Sequence, residues 1–381
     1  GPRTAPPGFG RSDLTGTAGV DYADPATYAK AKGAAGIMYL CSEQMASTWA
    51  RVRAAREGTT GGYQFEGKPR VTSTGSAGTP TIFLSEKSSN ALLAGTGITI
   101  NDVYKAMDED RILKSFVFPD NKTGSFTVAA DEGRIFTQNV VACVEGSDPV
   151  LKNEYVVCSA HYDHIGLNNN PNATDKVFNG ADDDGSGTVS ILAMAEALAK
   201  APKKPKRSTL FVWHCGEEKG LWGSDFYTSN PTVPITSIIT DLNIDMIGRS
   251  KPAGDTKPAN KVLTGPDEVY VIGSKMQSTQ LGQISEKVNA EYLKLAFNYK
   301  YDDPNDTERI FYRSDHYNYA RKGIPIIFYF DGVHEDYHGL GDEVSKIDFQ
   351  KMEKIVRTVY LTMWELSGLP KRPVVDKPLN R

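Results

Sequence analysis

Residues 154–166 read EYVVCSAHYDHIG, and residues 186–201 read SGTVSILAMAEALAKA. The first stretch begins as a continuous apolar run, which is typical of a strand buried on both faces. The second has the spacing of an amphipathic helix and follows glycine-rich turn residues. A buried strand followed by a helix is the repeating unit of a parallel sheet, and this pair therefore indicates an α/β fold.

The same alternation continues on both sides of this unit. We predict strands within 136–146, 207–218, 235–248 and 323–332, and helices within 220–230, 278–294 and 346–368. Residues 131–381 are therefore expected to form one α/β domain, with a mostly parallel or mixed sheet and helices on both faces.

Residues 1–130 have a different character, because they are rich in glycine, alanine, serine and threonine. We predict a helix and then a strand within 24–40, a helix over 45–58, a strand and a serine-capped helix within 79–97, and an exposed strand over 124–131. This stretch is interpreted as a separate, smaller α/β domain. It holds none of the six histidines, and we expect it to carry no catalytic group.

Composition excludes some classes of function. The net charge is −4 and the sequence pI is about 6.0, so there is no basic excess to favour nucleic acid or an anionic membrane. The apolar run IPIIFYF (324–330) is only as long as a strand, and we expect no membrane span. The four cysteines show no C-x-x-C spacing and are predicted to be free, buried thiols, with one disulfide pair as the alternative.

Histidines and acidic residues follow the predicted strands at the points where they end. They are His161 and Asp163 after YVVCSA, Glu217 and Glu218 after TLFVWHCG, Asp245 at the end of SIITDLNID, and His334 and His338 after IPIIFYF. In open α/β sheets, ligands bind beyond the carboxyl ends of the strands. We therefore expect these side chains to meet at one edge of the sheet.

A further acidic cluster stands at the start of the helix, in NGADDDGSG (179–187). One aspartate would suffice to cap the helix, whereas three adjacent carboxylates repel one another unless a cation offsets the charge. Mixed imidazole and carboxylate ligands suit zinc. Two histidines and three carboxylates suit two zinc ions that share a carboxylate, and Asp183 could be that bridge.

The motifs resemble those of a known family. In order, SAHYDHIG, NGADDDGSG, GEEKGLWGS, LNIDMIG and DYHGLGDEVSKID look like the metal-binding motifs of the co-catalytic zinc peptidases of metallopeptidase family twenty-eight. That family includes bacterial secreted leucyl aminopeptidases, glutamate carboxypeptidase and related glutaminyl cyclases. The resemblance covers roughly residues 131–368. The first part resembles a protease-associated domain, chiefly through YADPATYAKAKGAAGIMYL (22–40).

The resemblance implies a role for each matching residue. His161 and Asp245 would bind one zinc ion, Glu218 and His338 the other, and Asp183 would bridge them. Glu217 would be the general base, and Tyr337 would stabilise the tetrahedral intermediate. Asp163 would accept the other ring N–H of His161, and Asp184 would lie behind the ligands after a cis peptide bond from Asp183.

The last metal motif departs from the family pattern, which usually reads His-Thr-Pro-x-Asp-Thr, whereas this chain has HGLGDE (338–343). His334 is therefore the alternative to His338. His164, His214 and His316 match no ligand position. His316 is expected to give structural support, and Ser314 and Asp315 are expected to act behind the metal ligands.

The resemblance implies a zinc-dependent exopeptidase that acts on peptides, and an aminopeptidase is preferred. Because Arg309, Arg313 and Arg321 are close to the site in sequence, a zinc carboxypeptidase or dipeptidase stays open. A glutaminyl cyclase and a metal-free binding protein are further alternatives. The resemblance also implies a secreted or periplasmic protein, whose family usually has helices before the protease-associated insert. We accordingly expect a further N-terminal segment to complete this fold.

Overall fold

The computed structural model describes residues 25–43, 80–109 and 133–377 except 169 and 171, together with 379 and isolated residues within 45–66 and 111–122. The chain divides into two compact units, Gly1–Gly133 and Arg134–Arg381. Every residue to which the sequence analysis assigned a catalytic or metal-binding role belongs to the second unit.

The first unit contains short elements in its described part. They are α1 (Pro25–Ala31), β1 (Ile37–Tyr39), β2 (Thr81–Phe83), α2 (Glu86–Leu93) and α3 (Ile100–Asp108), with β1 and β2 paired in parallel. Ser85 caps α2 by accepting the backbone N–H of Ser88, as the sequence predicted. The helix predicted over 45–58 lies mostly, and the strand over 124–131 wholly, outside the described residues. A protease-associated domain stays a prediction.

The second unit is built on a seven-stranded sheet. The strands of this unit are β3 (Val140–Val144), β4 (Tyr155–His161), β5 (Gly166–Leu167), β6 (Val177–Phe178), β7 (Ser208–His214), β8 (Ile238–Ile244), β9 (Glu268–Ile272), β10 (Ala296–Asn298) and β11 (Ile326–Phe330). The main sheet has the order β10-β9-β11-β8-β4-β7-β3, while β5 and β6 pair separately. Only the β9–β11 and β3–β7 pairs of the main sheet are antiparallel, which confirms the predicted mostly parallel, mixed sheet.

Helices cover both faces of this sheet, as predicted. They are α4 (Gly185–Lys200), α5 (Trp222–Ser229), α6 (Thr279–Glu291), α7 (His316–Ala320) and α8 (Phe349–Gly368). Alternate residues of β4 face opposite sides: Val156 and Cys158 pack in a core with α4, α6 and α8, whereas Val157 packs in a core with α5 and α7. This burial on both faces explains why the strands read as continuous apolar runs.

The parallel strands β7, β4, β8 and β11 end at the same edge of the sheet. His161 is the last residue of β4, Asp245 directly follows β8, and Glu217 and Glu218 follow β7 after a turn through Gly216. The segment after β11 carries His338. The fold therefore gathers the polar residues at one edge, as the strand ends predicted.

The prediction for the cysteines is confirmed only in part. All four cysteines are free, but Cys143, on the edge strand β3, is exposed, so the expectation of four buried thiols was wrong for this residue. Among the helices that the structure describes, none is both long and apolar enough to cross a membrane.

Candidate metal centre

One group of candidate ligands forms around His161. Its Nε2 atom lies 3.2 Å from Oδ1 of Asp183 and 3.7 Å from Oδ2 of Asp245. His161 is buried, and its Nε2 atom has no hydrogen-bond partner. Burial opposes the charged imidazolium, but the nearby carboxylates, Asp245 first, outweigh that effect and hold the pKa of His161 well above its usual range. The pocket thus strongly favours a positive charge.

A second group forms on the other side of Asp183. The Nε2 atom of His338 lies 3.2 Å from Oδ2 of Asp183 and 3.1 Å from Oε2 of Glu218. Oδ2 of Asp183 and Oε1 of Glu218 are buried without a hydrogen-bond partner. The two oxygens of Asp183 therefore face different histidines, which is the arrangement a bridging carboxylate needs.

The three consecutive aspartates have three different environments. Asp182 accepts the backbone N–H of Gly248 at 2.6 Å, and Asp184 accepts those of Gly187 and His161 at 2.9 and 3.1 Å. Asp184 thereby caps α4, although one of its oxygens also lies within 4.8 Å of the ligand atoms of His161 and Asp245. Only Asp183 turns its carboxylate between the two groups, and the expected cis peptide bond joins Asp183 to Asp184.

The segment with Asp183 is fixed by a buried carboxylate from the far end of the chain. Asp342 accepts the backbone N–H of Asp183 at 3.0 Å and that of Asp182 at 3.0 and 3.1 Å. Arg249 donates to Asp336 at 2.8 Å and lies 3.7 Å from Asp342. Arg249 therefore connects the segment after β8, which carries Asp245, to the segment that carries His338, and Asp342 of the latter holds the backbone of Asp183.

The structure brings His338, and not His334, to the ligand cluster. His334 is buried, and its Nε2 atom lies 3.1 Å from Oδ2 of Asp182, outside both groups. His338 adopts a left-handed backbone conformation with φ of 55°. Contacts with Asp183 and Glu218 raise the pKa of His338 to about 10.

The contact of Asp163 differs from the expected one. The Nδ1 atom of His161 lies 3.0 Å from the backbone oxygen of Asp163 but 3.7 Å from its carboxylate. The turn after β4 is so short that the backbone carbonyl reaches the ring first. The carboxylate of Asp163 instead accepts the backbone N–H of Glu217 at 3.1 Å, so that Asp163 positions Glu217 as well as the ring.

Glu217 lies beside the ligands. Its Oε2 atom is 3.9 Å from Nε2 of His161, and burial raises the pKa of this carboxyl well above its usual value. It lines a cavity of about 40 Å³. The other lining residues are the acidic or ligand residues Asp183, Asp245 and His338, the apolar Met246, Ile310, Phe328, Phe330 and Val333, and Arg313 and Tyr337.

Tyr337 and Arg313 contact each other at this cavity. Arg313 donates to the Tyr337 hydroxyl at 3.3 Å, and the Tyr337 ring stacks on His338 with centroids 3.9 Å apart. The other two arginines considered from the sequence contact tyrosine rings elsewhere: Arg309 lies over Tyr312 and Arg321 over Tyr317. Of the three, Arg313 is the one that lines the cavity.

The residues expected behind the ligands are buried. His316 lies 2.7 Å from the carbonyl of Phe311 and stacks on Phe328, and Ser314 accepts a hydrogen bond from Asn243. Asp315 is fully buried, and burial raises its pKa to about 7. These contacts agree with the structural role predicted for His316.

His164 was not predicted from the sequence to lie at the site. Its Nδ1 atom lies 2.8 Å from Oε1 of Glu218, in a cluster with Asp183. The spacing of the two histidines in HYDH could have indicated it. His161 is the last residue of β4, and His164 follows three residues later, so both lie at the same end of that strand.

The donor set fits divalent cations. Buried atoms of His161, Asp183 and Glu218 that lack a hydrogen-bond partner converge with ligand atoms of Asp245 and His338, and a buried charge or polar group without a partner is costly. Imidazole and carboxylate together match the ligand preference of zinc and similar transition metals.

Comparison with known proteins identifies the family. Residues 139–363 match peptidase family M28, and the chain belongs to that family. This confirms the resemblance found in the sequence motifs.

Two curated relatives show how far the likeness extends. A probable zinc metalloprotease of Leptosphaeria maculans is 26% identical over 269 residues, covering 62% of this chain and 60% of the relative. Leucine aminopeptidase 2 of Trichophyton equinum is 26% identical over 269 residues, covering 63% and 48%. The chain thus spans about half the length of the curated relatives it matches.

Among solved structures, the chain is similar to the LapA aminopeptidase of Legionella pneumophila. The TM-score is 0.47 at 21% identity, and the match covers 61% of this chain and 55% of the LapA chain.

Proposed function

We propose that this protein is a zinc-dependent exopeptidase that removes N-terminal residues from peptides. The observation that carries the proposal is the position of Asp183, whose two oxygens face two separate groups of candidate ligand atoms, several of them buried without a hydrogen-bond partner. The names of the curated relatives, a zinc metalloprotease and a leucine aminopeptidase, support the choice of metal and reaction.

Two zinc ions would be held on either side of Asp183. His161 and Asp245 would hold one, and Glu218 and His338 the other. When bound, the ions would lower the pKa of a water molecule and polarise the substrate carbonyl. The negative charge of the cluster supports this assignment, because the cations would offset the repulsion between its carboxylates.

Glu217 is proposed to accept the proton of the attacking water and return it to the leaving amine. It lines the cavity without belonging to the closest ligand contacts, and Asp163 holds its backbone. Tyr337 is proposed to donate its hydroxyl proton in a hydrogen bond to the developing oxyanion. Burial raises the pKa of Tyr337, which keeps the hydroxyl protonated and able to donate.

The cavity supports an aminopeptidase that prefers apolar N-terminal residues. The carboxyl oxygens of Asp183, Glu217 and Asp245 at one end of it can accept hydrogen bonds from a free ammonium group. Met246, Phe328 and Phe330 give it an apolar wall that can contact an aliphatic or aromatic side chain.

Arg313 favours a second candidate, a carboxypeptidase or dipeptidase. It lines the same cavity, and a guanidinium can bind a terminal carboxylate with two parallel hydrogen bonds. Its guanidinium donates to the uncharged hydroxyl of Tyr337, which leaves its positive charge free for a substrate.

A panel of peptides separates the two candidates. An aminopeptidase should hydrolyse leucine p-nitroanilide and should not hydrolyse its N-acetyl derivative. A carboxypeptidase should hydrolyse N-blocked dipeptides and should lose that activity in Arg313→Met. Turnover of N-blocked dipeptides alone would overturn the aminopeptidase proposal.

Two other classes would give different results. A glutaminyl cyclase would convert N-terminal glutamine without hydrolysing leucine p-nitroanilide, and a metal-free binding protein would do neither.

Two expectations from the sequence stay predictions. They are that the protein is secreted or periplasmic, and that a further N-terminal segment completes its fold.

A further inference from the structure

We propose that His164 is a further metal ligand, which completes the second site together with Asp183, Glu218 and His338. The inference rests on the proposed two-zinc function and adds a residue to the ligand set. His164 lies beside Glu218 and Asp183, although it matches no ligand position of the family motifs.

The first observation is the convergence of unpartnered atoms. Nδ1 of His164 lies 2.8 Å from Oε1 of Glu218 and 3.8 Å from Oδ2 of Asp183. All three atoms are buried, and none makes a well-formed hydrogen bond within the described part of the chain. Buried polar atoms are almost always satisfied, so three that meet without a partner indicate a shared ligand.

The second observation is the relation of His164 to His338. His338 approaches the other oxygen of Glu218, Oε2, at 3.1 Å, and the same Oδ2 of Asp183 at 3.2 Å. The two imidazole rings meet edge to face with centroids 5.8 Å apart. The two carboxylates therefore lie between two imidazoles, which is a mixed nitrogen and oxygen donor set suited to zinc.

The third observation is the space made for the His164 ring. Gly180 has φ of 60°, and a Cβ atom at this position would lie 2.5 Å from Cγ of His164. The glycine that opens the aspartate run thus lets the ring approach the cluster. The side chain of His164 is only 9% exposed, so the ring is held in a fixed environment.

A crystal structure of the zinc-loaded protein tests the proposal directly. We expect Nδ1 of His164 at about 2.0–2.1 Å from one zinc ion, the usual length of a zinc–imidazole bond. A zinc ion bound by Asp183, Glu218 and His338 but not by His164, with His164 hydrogen-bonded to Glu218 instead, would overturn it.

Zinc affinity in solution gives an independent test that does not need turnover. In His164→Ala, the affinity for one of the two ions should fall by at least about 100-fold. Loss of a residue that only hydrogen-bonds to a ligand costs up to about 100-fold, and loss of a ligand should cost at least as much. His164→Gln is the matched variant, because its amide can still donate to Glu218 but is a poor zinc ligand. It should bind zinc as weakly as His164→Ala.

The outcomes separate the two proposals. Restored affinity in His164→Gln, or unchanged affinity in His164→Ala, would mean that His164 is not a ligand. A wild-type protein that binds no zinc would instead refute the proposed function itself. Circular dichroism of both variants without metal checks that they are folded.

Discussion

Replacing Glu217 with glutamine separates proton transfer from metal binding. Glutamine keeps the size of the side chain and leaves the backbone N–H of residue 217 bonded to Asp163. The amide cannot accept a proton from water at neutral pH. Because Glu217 is 3.9 Å from the nearest ligand nitrogen, that of His161, the change should leave both zinc ions bound.

The expected loss is in turnover. General-base catalysis contributes about 10²–10⁴ in rate, which corresponds to about 2.7–5.4 kcal/mol of activation free energy. Stability should not fall, because burial raises the pKa of Glu217 and a neutral amide avoids the cost of burying that charge. We therefore expect kcat to fall by about two to four orders of magnitude at an unchanged or higher melting temperature.

The assay is steady-state hydrolysis of leucine p-nitroanilide, with zinc counted by elemental analysis on the same samples. Glu218→Gln is the matched control, because Glu218 contacts His338 at 3.1 Å and is proposed to bind metal. It should lose one ion and recover part of its activity in excess zinc. Rescue of Glu217→Gln by zinc, or full activity of that variant, would refute the assignment.

Three further predictions follow from other contacts. Asp183→Ala should lose both zinc ions, whereas His161→Ala should mainly lose one; elemental analysis checks this, and retention of both ions in Asp183→Ala would contradict the bridge. Arg249→Met should lower the free energy of unfolding by about 3 kcal/mol, because it breaks the largely buried ion pair with Asp336. Lys346 contacts the same Asp336 from an exposed position, so Lys346→Met should lower it by less than about 1 kcal/mol. Urea unfolding of both variants measures these losses, and equal losses would contradict the prediction. Burial lowers the pKa of His316 to about 3 in the folded protein. Below about pH 6.5 the imidazole of His316 is therefore protonated in the unfolded chain but not in the folded protein, and the free energy of unfolding falls as pH decreases from about 6.5 toward 3. Between pH 7.5 and 5.5, His316→Gln should lose about 1.4 kcal/mol less stability than the wild type, and parallel losses would count against a neutral buried ring.

The sequence predicted the sheet well because its central strands are long, apolar and buried on both faces. β4, β7, β8 and β11 all lie within predicted ranges. The strands β9 and β10 were missed. β10 has three residues and lies at the edge of the sheet, where the apolar signal is weak, whereas β9 is as long as β11, and its apolar run VYVI (269–272) could have indicated it. The helix α7, of five residues, is also too short for a helical period to appear.

The candidate site was predicted at the level of residues but not of contacts. The strand ends brought His161, Glu217, Asp245 and His338 together because parallel strands share one edge. The sequence could not show that a backbone carbonyl of Asp163 would reach His161 before its carboxylate did. His164 was missed for a related reason, since its approach to Glu218 depends on the space above Gly180, which only the folded chain defines.

The count of zinc ions in an active preparation tests the central claim most directly. Metal-free protein would be titrated with zinc while hydrolysis of leucine p-nitroanilide is followed, and bound zinc would be measured at saturation. The two groups on either side of Asp183 predict two ions per chain, with full activity only when both are bound. Saturation at a single zinc ion would contradict the two-metal site and would favour the cyclase alternative.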